Sequence, residues 1–255
     1  MGRYHCHNDM KLFTAFLLSF SFAIAADLPS AESLLAKSVE QSGGAAYSQL
    51  KSAQFTGKVE MAGHNITGPV SVYQKGNKSY TVIDLPGLGK VEEGFDGQTA
   101  WEMNALQGAR IKEGEEKAAV ERSERMNILG TWRDFYTSAR TVGSEVVSGK
   151  PAWKVELTPK TGRPEFFFID KSTGMVSRMS QTIPSAMGDI AVDVLFSDYK
   201  IVDGIQTPFT MTQSAMGQLM SMHFESAKYN APIPDERFDL PPAVKSILDK
   251  RGKQQ

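Results

Sequence analysis

The sequence predicts a mainly β fold of the α+β class, in which a helical segment interrupts an antiparallel meander. The first observation behind this prediction is a period of two among the apolar residues. Apolar side chains recur at every second position in Trp153–Leu157, Val192–Phe196 and Met220–Phe224. Such a period places one set of side chains on one face of a β-strand.

The second observation is a turn signal at the end of each run. Three examples are Ser148-Gly149, Asp203-Gly204 and Met216-Gly217. Glycine adopts positive φ readily, and short polar side chains bond to nearby backbone, so these pairs predict hairpin turns. Short strands separated by such turns form an antiparallel meander, and a sheet of this kind must curl or be covered.

The alternation also predicts which side chains share a face. In the segment 166–169, Phe166 and Phe168 alternate with Phe167 and Ile169. We expect Trp153, Val155 and Leu157 to share a face with Phe166 or Phe168. A register slip of one residue would reverse this assignment.

The N-terminal half predicts one helix and then five strands. The helix begins at Pro29–Glu32 and ends at Gly43-Gly44, because Ser, Pro and an early acid favour a helix start and glycine favours its end. Leu34, Leu35 and Val39 form its apolar stripe. The predicted strands are Phe55–Met61, Val70–Gln74, Ser79–Asp84, Val91–Phe95 and Thr99–Asn104.

A helical pair is predicted between the two sets of strands. Glu113–Met126 is charged and has no Gly or Pro after Gly114, which predicts a solvated helix. Five apolar residues then recur at helical spacing and predict a second helix over Ile128–Thr137: Ile128, Leu129, Trp132, Phe135 and Tyr136. Two interpretations stay open for this helix, one that closes the end of a barrel core and one that forms a lid over a cavity.

The C-terminal segment reads as irregular. Pro232, Pro234 and Pro241-Pro242 favour an extended return along the body, and the polar, basic stretch Lys245–Gln255 is expected to fray. No linker divides the chain, so we expect residues 26–255 to form a single domain.

Residues 1–25 are predicted to be a leader that contains a secretory signal peptide. Lys11 precedes the apolar run Leu12–Ala25, and Ala23-Ile24-Ala25 has the small-x-small pattern of a cleavage site. We place the cleavage after Ala25. The run is shorter than the roughly 20 residues that cross a bilayer. Met10 is an alternative start to Met1, because the charged part of a signal normally opens the chain.

Charge and cysteine content exclude several classes of function. The chain has 28 basic and 29 acidic residues and no basic stripe, so we expect no nucleic-acid partner. The single cysteine lies in His5-Cys6-His7, which would leave with the leader. The mature chain would then have no disulfide and no lipidated cysteine, and we expect a soluble periplasmic protein without a metal or cofactor.

No catalytic motif is present. His64 and His223 lie on different predicted strands, and neither a nucleophile elbow nor a zinc-protease motif occurs. Asp198, near a predicted strand end, is the acid most open to a functional role. We therefore expect no enzymatic activity. The methionines and aromatic residues suit a surface that adapts to apolar ligands, and they equally suit an ordinary core.

The chain resembles the LolA-like superfamily, the periplasmic carriers of outer-membrane lipoproteins and related lipoprotein-sorting proteins. The resemblance spans nearly the whole mature chain and rests on the order and spacing of five main segments: Gly94–Asn104, Gly149–Leu157, Phe168–Asp170, Phe196–Tyr199 and Val202–Gly204. It implies a strongly curved antiparallel sheet that forms an unclosed barrel, with helices over its concave face. The family's carriers control a lid with a buried arginine, and no motif assigns that role to Arg110, Arg133 or Arg140.

The resemblance also implies a cavity that holds acyl chains, and therefore lipid or lipoprotein acyl chains as ligands. We expect a monomeric carrier that meets acceptor proteins at the inner or outer membrane. The alternatives are a non-catalytic structural protein of the envelope and an accessory domain of an envelope enzyme. The residues assigned to the cavity and lid are Trp101, Met103, Leu129, Trp132, Phe135, Phe166, Phe168, Met211, Met220 and Met222.

Overall fold

Over the part of the chain that the structure describes, the protein forms one 13-stranded antiparallel sheet with four α-helices. The computed structural model describes residues 1–2, 28–185 and 188–253. The predicted apolar leader segment and its cleavage site lie outside the described residues.

Two meanders make up the sheet. The first contains β1 (Ser52–Met61), β2 (Ile66–Lys75), β3 (Lys78–Leu85), β4 (Gly89–Phe95), β5 (Ala100–Asn104) and β6 (Gly108–Lys112). The second contains β7 (Tyr136–Val147), β8 (Lys150–Pro159), β9 (Glu165–Asp170), β10 (Val176–Ser185), β11 (Gly188–Val202), β12 (Ile205–Ala215) and β13 (Gln218–Tyr229).

Pairing of β1 with β13 joins the meanders, and β6 and β7 are the two edges. Because the edge strands do not pair with each other, the sheet is not closed into a barrel, and the predicted fold class is confirmed. The helices are α1 (Ala31–Gln41), α2 (Ala45–Ser48), α3 (Gly114–Ser123) and α4 (Pro242–Gly252).

The hairpin turns explain how the sequence sets this order. Asp203 and Gly204 have φ of 51° and 80°, and Met216 and Gly217 have φ of 52° and 75°. Two successive residues at positive φ match the right-handed twist of the flanking strands, which favours tight two-residue hairpins. The predicted turns at these positions are confirmed.

Helix α1 packs against the second meander. The side chain of Ser30 accepts a hydrogen bond from the backbone N–H of Ser33 and caps the helix start. Leu34 and Leu35 are buried in a core that also contains residues of β8 and β9, namely Val155, Leu157, Phe167 and Ile169. The amphipathic stripe predicted for this helix therefore faces the sheet.

The predicted shared face on β8 and β9 is wrong. Val155 pairs with Phe167, and Lys154 pairs with Phe168. Directly paired residues share a face, so the core-facing residues of β8 lie with Phe167 and not with Phe166 or Phe168. The length of the loop between β8 and β9 sets this register, and the continuous apolar run of β9 carries no signal for it.

The predicted second helix over Ile128–Thr137 is also wrong. Consecutive tight turns and a short 3₁₀ helix at Trp132–Asp134 replace it, and Tyr136 already begins β7. The N–H groups of Gly130 and Thr131 both bond to the carbonyl of Asn127, which closes a local turn. Successive turns repeat roughly every three residues, so they mimic the apolar spacing of a helix.

Residues 245–252 of the C-terminal stretch that was expected to fray belong to α4 instead. Pro242 occupies the first turn, where its missing N–H costs nothing, and Val244 is fully buried. Arg251 lies in the last turn and forms an ion pair with Glu113 at 2.5 Å. A basic last turn favours the helix end electrostatically.

Candidate functional site

A cavity of about 600 Å³ lies between one face of the sheet and the segment that contains α3. We call the face that lines this cavity the inner face and the opposite one the outer face. Both meanders contribute to the wall, from β1–β6 on one side and from β7 and β9–β13 on the other.

The larger part of the cavity wall is apolar. Its side chains come from every second residue of the long strands, because the period of two turns them all to the inner face. Methionine is flexible and fits irregular contents, while the aromatic rings supply rigid area. The apolar wall consists of Phe55, Val72, Ile83, Met179, Ile183, Val192, Val194, Phe196, Met211, Met220, Met222 and Phe224.

Helix α3 covers the cavity. It packs against β5 in the first meander and β10 in the second, so it bridges the two sides of the sheet. Ala119 and Val120 face the cavity, whereas Lys117 and Glu121 pair at 3.2 Å one turn apart and do not line it. The helix is short and carries little apolar surface of its own, so its position depends on specific contacts.

A buried ion pair holds the end of α3. The guanidinium of Arg122 donates from Nε to Glu165 Oε1 at 2.8 Å and from Nη1 to the carbonyl of Thr161 at 2.9 Å. Tyr136 donates its hydroxyl to Glu165 Oε2 at 2.5 Å. Arg122 is 6% exposed and Glu165 is 4% exposed. Burial, and then the charge of Glu165, raises the pKa of Tyr136, so the hydroxyl stays protonated and keeps donating.

The other end of the cavity is polar, and we call it the polar end. It consists of Gln74, Ser79, Glu93, Lys112 and Glu124. Glu124 accepts a hydrogen bond from Gln74 Nε2 at 3.2 Å, and burial raises the pKa of its carboxyl. Lys112 donates to Glu93 at 2.8 Å and lies 3.2 Å from Glu102.

Two solved structures resemble this chain in fold. A LolA superfamily protein from Nitrosomonas europaea is 17% identical with a TM-score of 0.56, and the match covers 84% of this chain and 99% of that one. A DUF1329 family protein from Desulfovibrio piger is 16% identical with a TM-score of 0.55, covering 82% and 97%. The fold is LolA-like. No protein-family model matches the sequence, and no curated protein matches it.

A third structure agrees with this LolA-like fold. A domain from Vibrio parahaemolyticus, described as an outer membrane lipoprotein-sorting protein, is 11% identical with a TM-score of 0.53. The match covers 86% of this chain and 97% of that one. At such identities the likeness shows the fold, and the residues of the site have to be argued from their own geometry.

Half of the predicted site residues border the cavity of this LolA-like sheet. They are Trp101, Leu129, Met211, Met220 and Met222. Trp101 is a special case, because the register places it with Gly94 and Tyr80 on the outer face. The ring of Trp101 lies against Gly94, where a Cβ would come within 2.6 Å of the ring. Because Gly94 has no side chain, the ring has room there, and both residues border the cavity.

The other five predicted site residues lie elsewhere. Met103 faces outward with Glu92, its partner on β4. Trp132 is buried in the core beneath α1, and Phe135 packs at its margin. Neither of these two residues, on which a lid was predicted, is among those that line the cavity. Phe166 and Phe168 lie on the outer face, where Lys154 and Arg178 cover their rings.

Sequence reasoning missed the residues that hold and polarise the cavity. Arg122, Glu124 and Glu165 occur in stretches that read as solvated helix or strand start. These charged side chains reach the cavity and each other only because α3 crosses the sheet. The one available signal was Ala118-Ala119-Val120, an apolar run within a largely charged helix.

Within residues 1–2, 28–185 and 188–253 no group of three or more His, Cys, Asp or Glu side chains is placed to hold a metal ion. Over the same part of the chain, no helix is long and apolar enough to cross a membrane. Asp198 adopts positive φ within β11 and pairs with Lys200 at 2.9 Å, at an exposed position.

Proposed function

We propose that the protein is a periplasmic carrier that binds acyl chains, either those of lipidated proteins or those of free lipids. The observation that carries the proposal is the apolar cavity of about 600 Å³ beneath α3. This volume falls in the usual range of about 300–1,000 Å³ for ligand sites. An acyl chain leaves water with a gain of about 0.8 kcal/mol per CH₂, so such a wall binds it without any chemistry.

The LolA-like fold supports the same proposal. The neighbours from Nitrosomonas europaea and Vibrio parahaemolyticus are described as a LolA superfamily protein and a lipoprotein-sorting domain. A carrier of this kind acts between membranes, so its partners would be acceptor proteins at the inner or outer membrane. We propose that it works as a monomer and performs no catalysis.

The cavity wall also suits loading and release. Methionine side chains at Met211, Met220 and Met222 adapt to a chain of varied length and saturation. Binding and release require the filled and empty states to differ little in free energy. We propose that α3 moves between them while its Arg122 end stays fixed, since the ion pair to Glu165 is the most buried contact of the helix.

Native mass spectrometry of protein purified from an envelope fraction tests this function. We expect co-purifying lipid or lipopeptide mass on the wild-type protein. Met222→Trp fills the inner wall and should remove that mass. His223→Trp adds the same side chain on the outer face of the same strand and should leave it unchanged. Lipid-free wild-type protein, or equal loading of both variants, would contradict the proposal and favour a structural or accessory role.

A further inference from the structure

The polar end differs from the rest of the cavity in both charge and hydrogen bonding. The register brings Gln74, Ser79 and Glu93 to the inner face of β2, β3 and β4. Glu124 follows directly after α3 and approaches Gln74 from above the sheet, with 3.2 Å between Gln74 Nε2 and Glu124 Oε2. An amphiphile bound here therefore meets apolar side chains along its tail and polar ones at one end.

Glu124 is the carboxyl group of the polar end that forms no ion pair with a cation. The described residues form no ion pair with Glu124, and its hydrogen-bond partners are the neutral Gln74 and Ser79. Lys112, the nearest cation of the group, is engaged by Glu93 at 2.8 Å and by Glu102 at 3.2 Å. The last carbonyls of α3 also point toward this region and favour positive charge.

The balance of charges around the polar end also favours a bound cation. Glu93, Glu102 and Glu116 share two cations, Lys112 and Arg110. Glu124 adds a fourth carboxyl group, and its hydrogen bond goes to the neutral Gln74. Three ionised carboxylates against two cations leave an excess of one negative charge, and a bound cation that favours the ionised form of Glu124 would balance a second one. An anionic head group would meet this excess in a partly desolvated site, where like charges repel strongly.

Two other arginines border the cavity, and each is engaged away from the polar end. Arg122 is held by Glu165 and by the carbonyl of Thr161. Arg125 lies with its guanidinium 5.1 Å from the ring centroid of Phe135, beside the start of β7. Neither neutralises Glu124, which faces β2 instead.

We propose that the polar end recognises the head group of the bound amphiphile and prefers a head that carries a primary ammonium group. An ammonium has three donors and one positive charge, so it can bond to Glu124 and to neutral oxygens such as that of Ser79 at once. The inference rests on the proposed binding of acyl chains, because the apolar wall must hold the tail for the head to reach this end.

A set of three ligands with the same alkyl chain tests the preference. Decylamine, decanol and decanoate share a tail and differ only in the head. Decanol therefore measures the affinity of the apolar wall for the tail, and the other two measure the effect of head-group charge at the polar end. Titrations at about pH 8 keep the amine protonated, and its ammonium group favours the ionised form of Glu124 on binding. We expect decylamine to bind about tenfold more tightly than decanoate, a difference of about 1.4 kcal/mol.

Two variants on α3 and its end sharpen the test. Glu124→Gln should reduce the preference for decylamine over decanoate to about threefold or less, because it removes the charge and keeps the shape. Glu121→Gln removes a carboxylate that does not line the cavity and should leave the preference intact.

Three outcomes would contradict the head-group preference. Equal binding of all three ligands overturns the head-group preference while the proposed function stands. Tighter binding of decanoate that is lost in Arg125→Gln also overturns it, because Arg125 would then receive an anionic head. If none of the three ligands binds, both the proposed function and this inference fail.

Discussion

Arg122 at the end of α3 and Glu165 at the start of β9 form a buried ion pair, with Nη2 and Oε1 2.6 Å apart. The pair connects the helix that covers the cavity to the wall of the second meander. Residues between these two positions include a turn-rich segment and two strands, so the contact closes a long loop. It is the contact that fixes where α3 crosses the sheet.

Breaking this pair should destabilise the protein. Arg122→Ala leaves the Glu165 carboxylate buried with one remaining donor, Tyr136, and we expect a loss of about 3–5 kcal/mol in the free energy of unfolding. Arg133→Ala is the control, because its pair with Glu32 at 2.5 Å is exposed and should be worth about 0–1 kcal/mol. Urea denaturation measures both, and similar losses for the two variants would contradict the assignment.

The register of β9 predicts unequal costs for neighbouring phenylalanines. Phe167 is buried in the core beneath α1, so Phe167→Ala should cost about 3–5 kcal/mol. Phe166 is only half-buried on the outer face, where Lys154 Nζ lies 4.8 Å from its ring centroid. Phe166→Ala should cost clearly less, and thermal or urea unfolding of the two variants gives the comparison. The reverse order would mean that the register is shifted by one residue.

The core position of Trp132 carries its own prediction. Trp132→Ala combined with Phe135→Ala should destabilise the protein strongly, because Trp132 packs with α1 and Tyr136. Where the double variant remains folded, its off-rate for a fluorescent fatty acid should match that of the wild type. A several-fold change in off-rate without loss of stability would instead identify these residues as the lid.

Glu124 should make stability depend on pH. Burial raises its pKa above the usual value of 4.5, so the folded state disfavours the ionised form. The stability that protonated Glu124 contributes is fully present below about pH 4.5, and it is lost as pH rises through the folded-state pKa of Glu124. Glu93 and Lys112, the ionisable groups that face it, act in opposite directions on this pKa.

The matched variant isolates that contribution. Glu124→Gln should gain stability relative to wild type between about pH 4.5 and pH 8, whereas Glu121→Gln should show no such gain. Denaturation at several pH values provides the comparison. A difference between Glu124→Gln and wild type that is constant over this range would show that Glu124 titrates normally.

Export can be checked independently of binding. We predict that the exported protein begins at Ala26 and carries no added lipid, because no cysteine follows the apolar run Leu12–Ala25. Intact-mass measurement of the exported form shows this directly. A mass that retains residues 11–25, or that includes a lipid, would contradict the prediction.

Local patterns in the sequence were enough to predict the sheet. The hairpins at Asp203-Gly204 and Met216-Gly217 and the period of two in β8 and β13 are set by neighbours in the chain. The face of Phe166 and Phe168 was not predictable, because register depends on a loop between two strands. The turns at Ile128–Thr137 repeat closely enough to imitate a helix.

The candidate site was less predictable than the fold. Met211, Met220 and Met222 border the cavity, because alternation alone places them on one face. Arg122 and Glu124 carry no local signal, since their burial follows from α3 lying across strands far away in sequence. Charged residues on a short helix read as solvated until the tertiary structure covers them.

Ligand-linked stability of delipidated protein tests the central claim most directly. Decanol at about 100 times its dissociation constant should raise the free energy of unfolding by about 2.7 kcal/mol. Ala119→Trp places a bulky ring beneath α3 and should abolish the gain, whereas Lys117→Trp, away from the cavity wall, should retain it. The account predicts stabilisation of the wild type and of Lys117→Trp only. No stabilisation of the wild type, or equal stabilisation of both variants, would contradict the binding of acyl chains in this cavity.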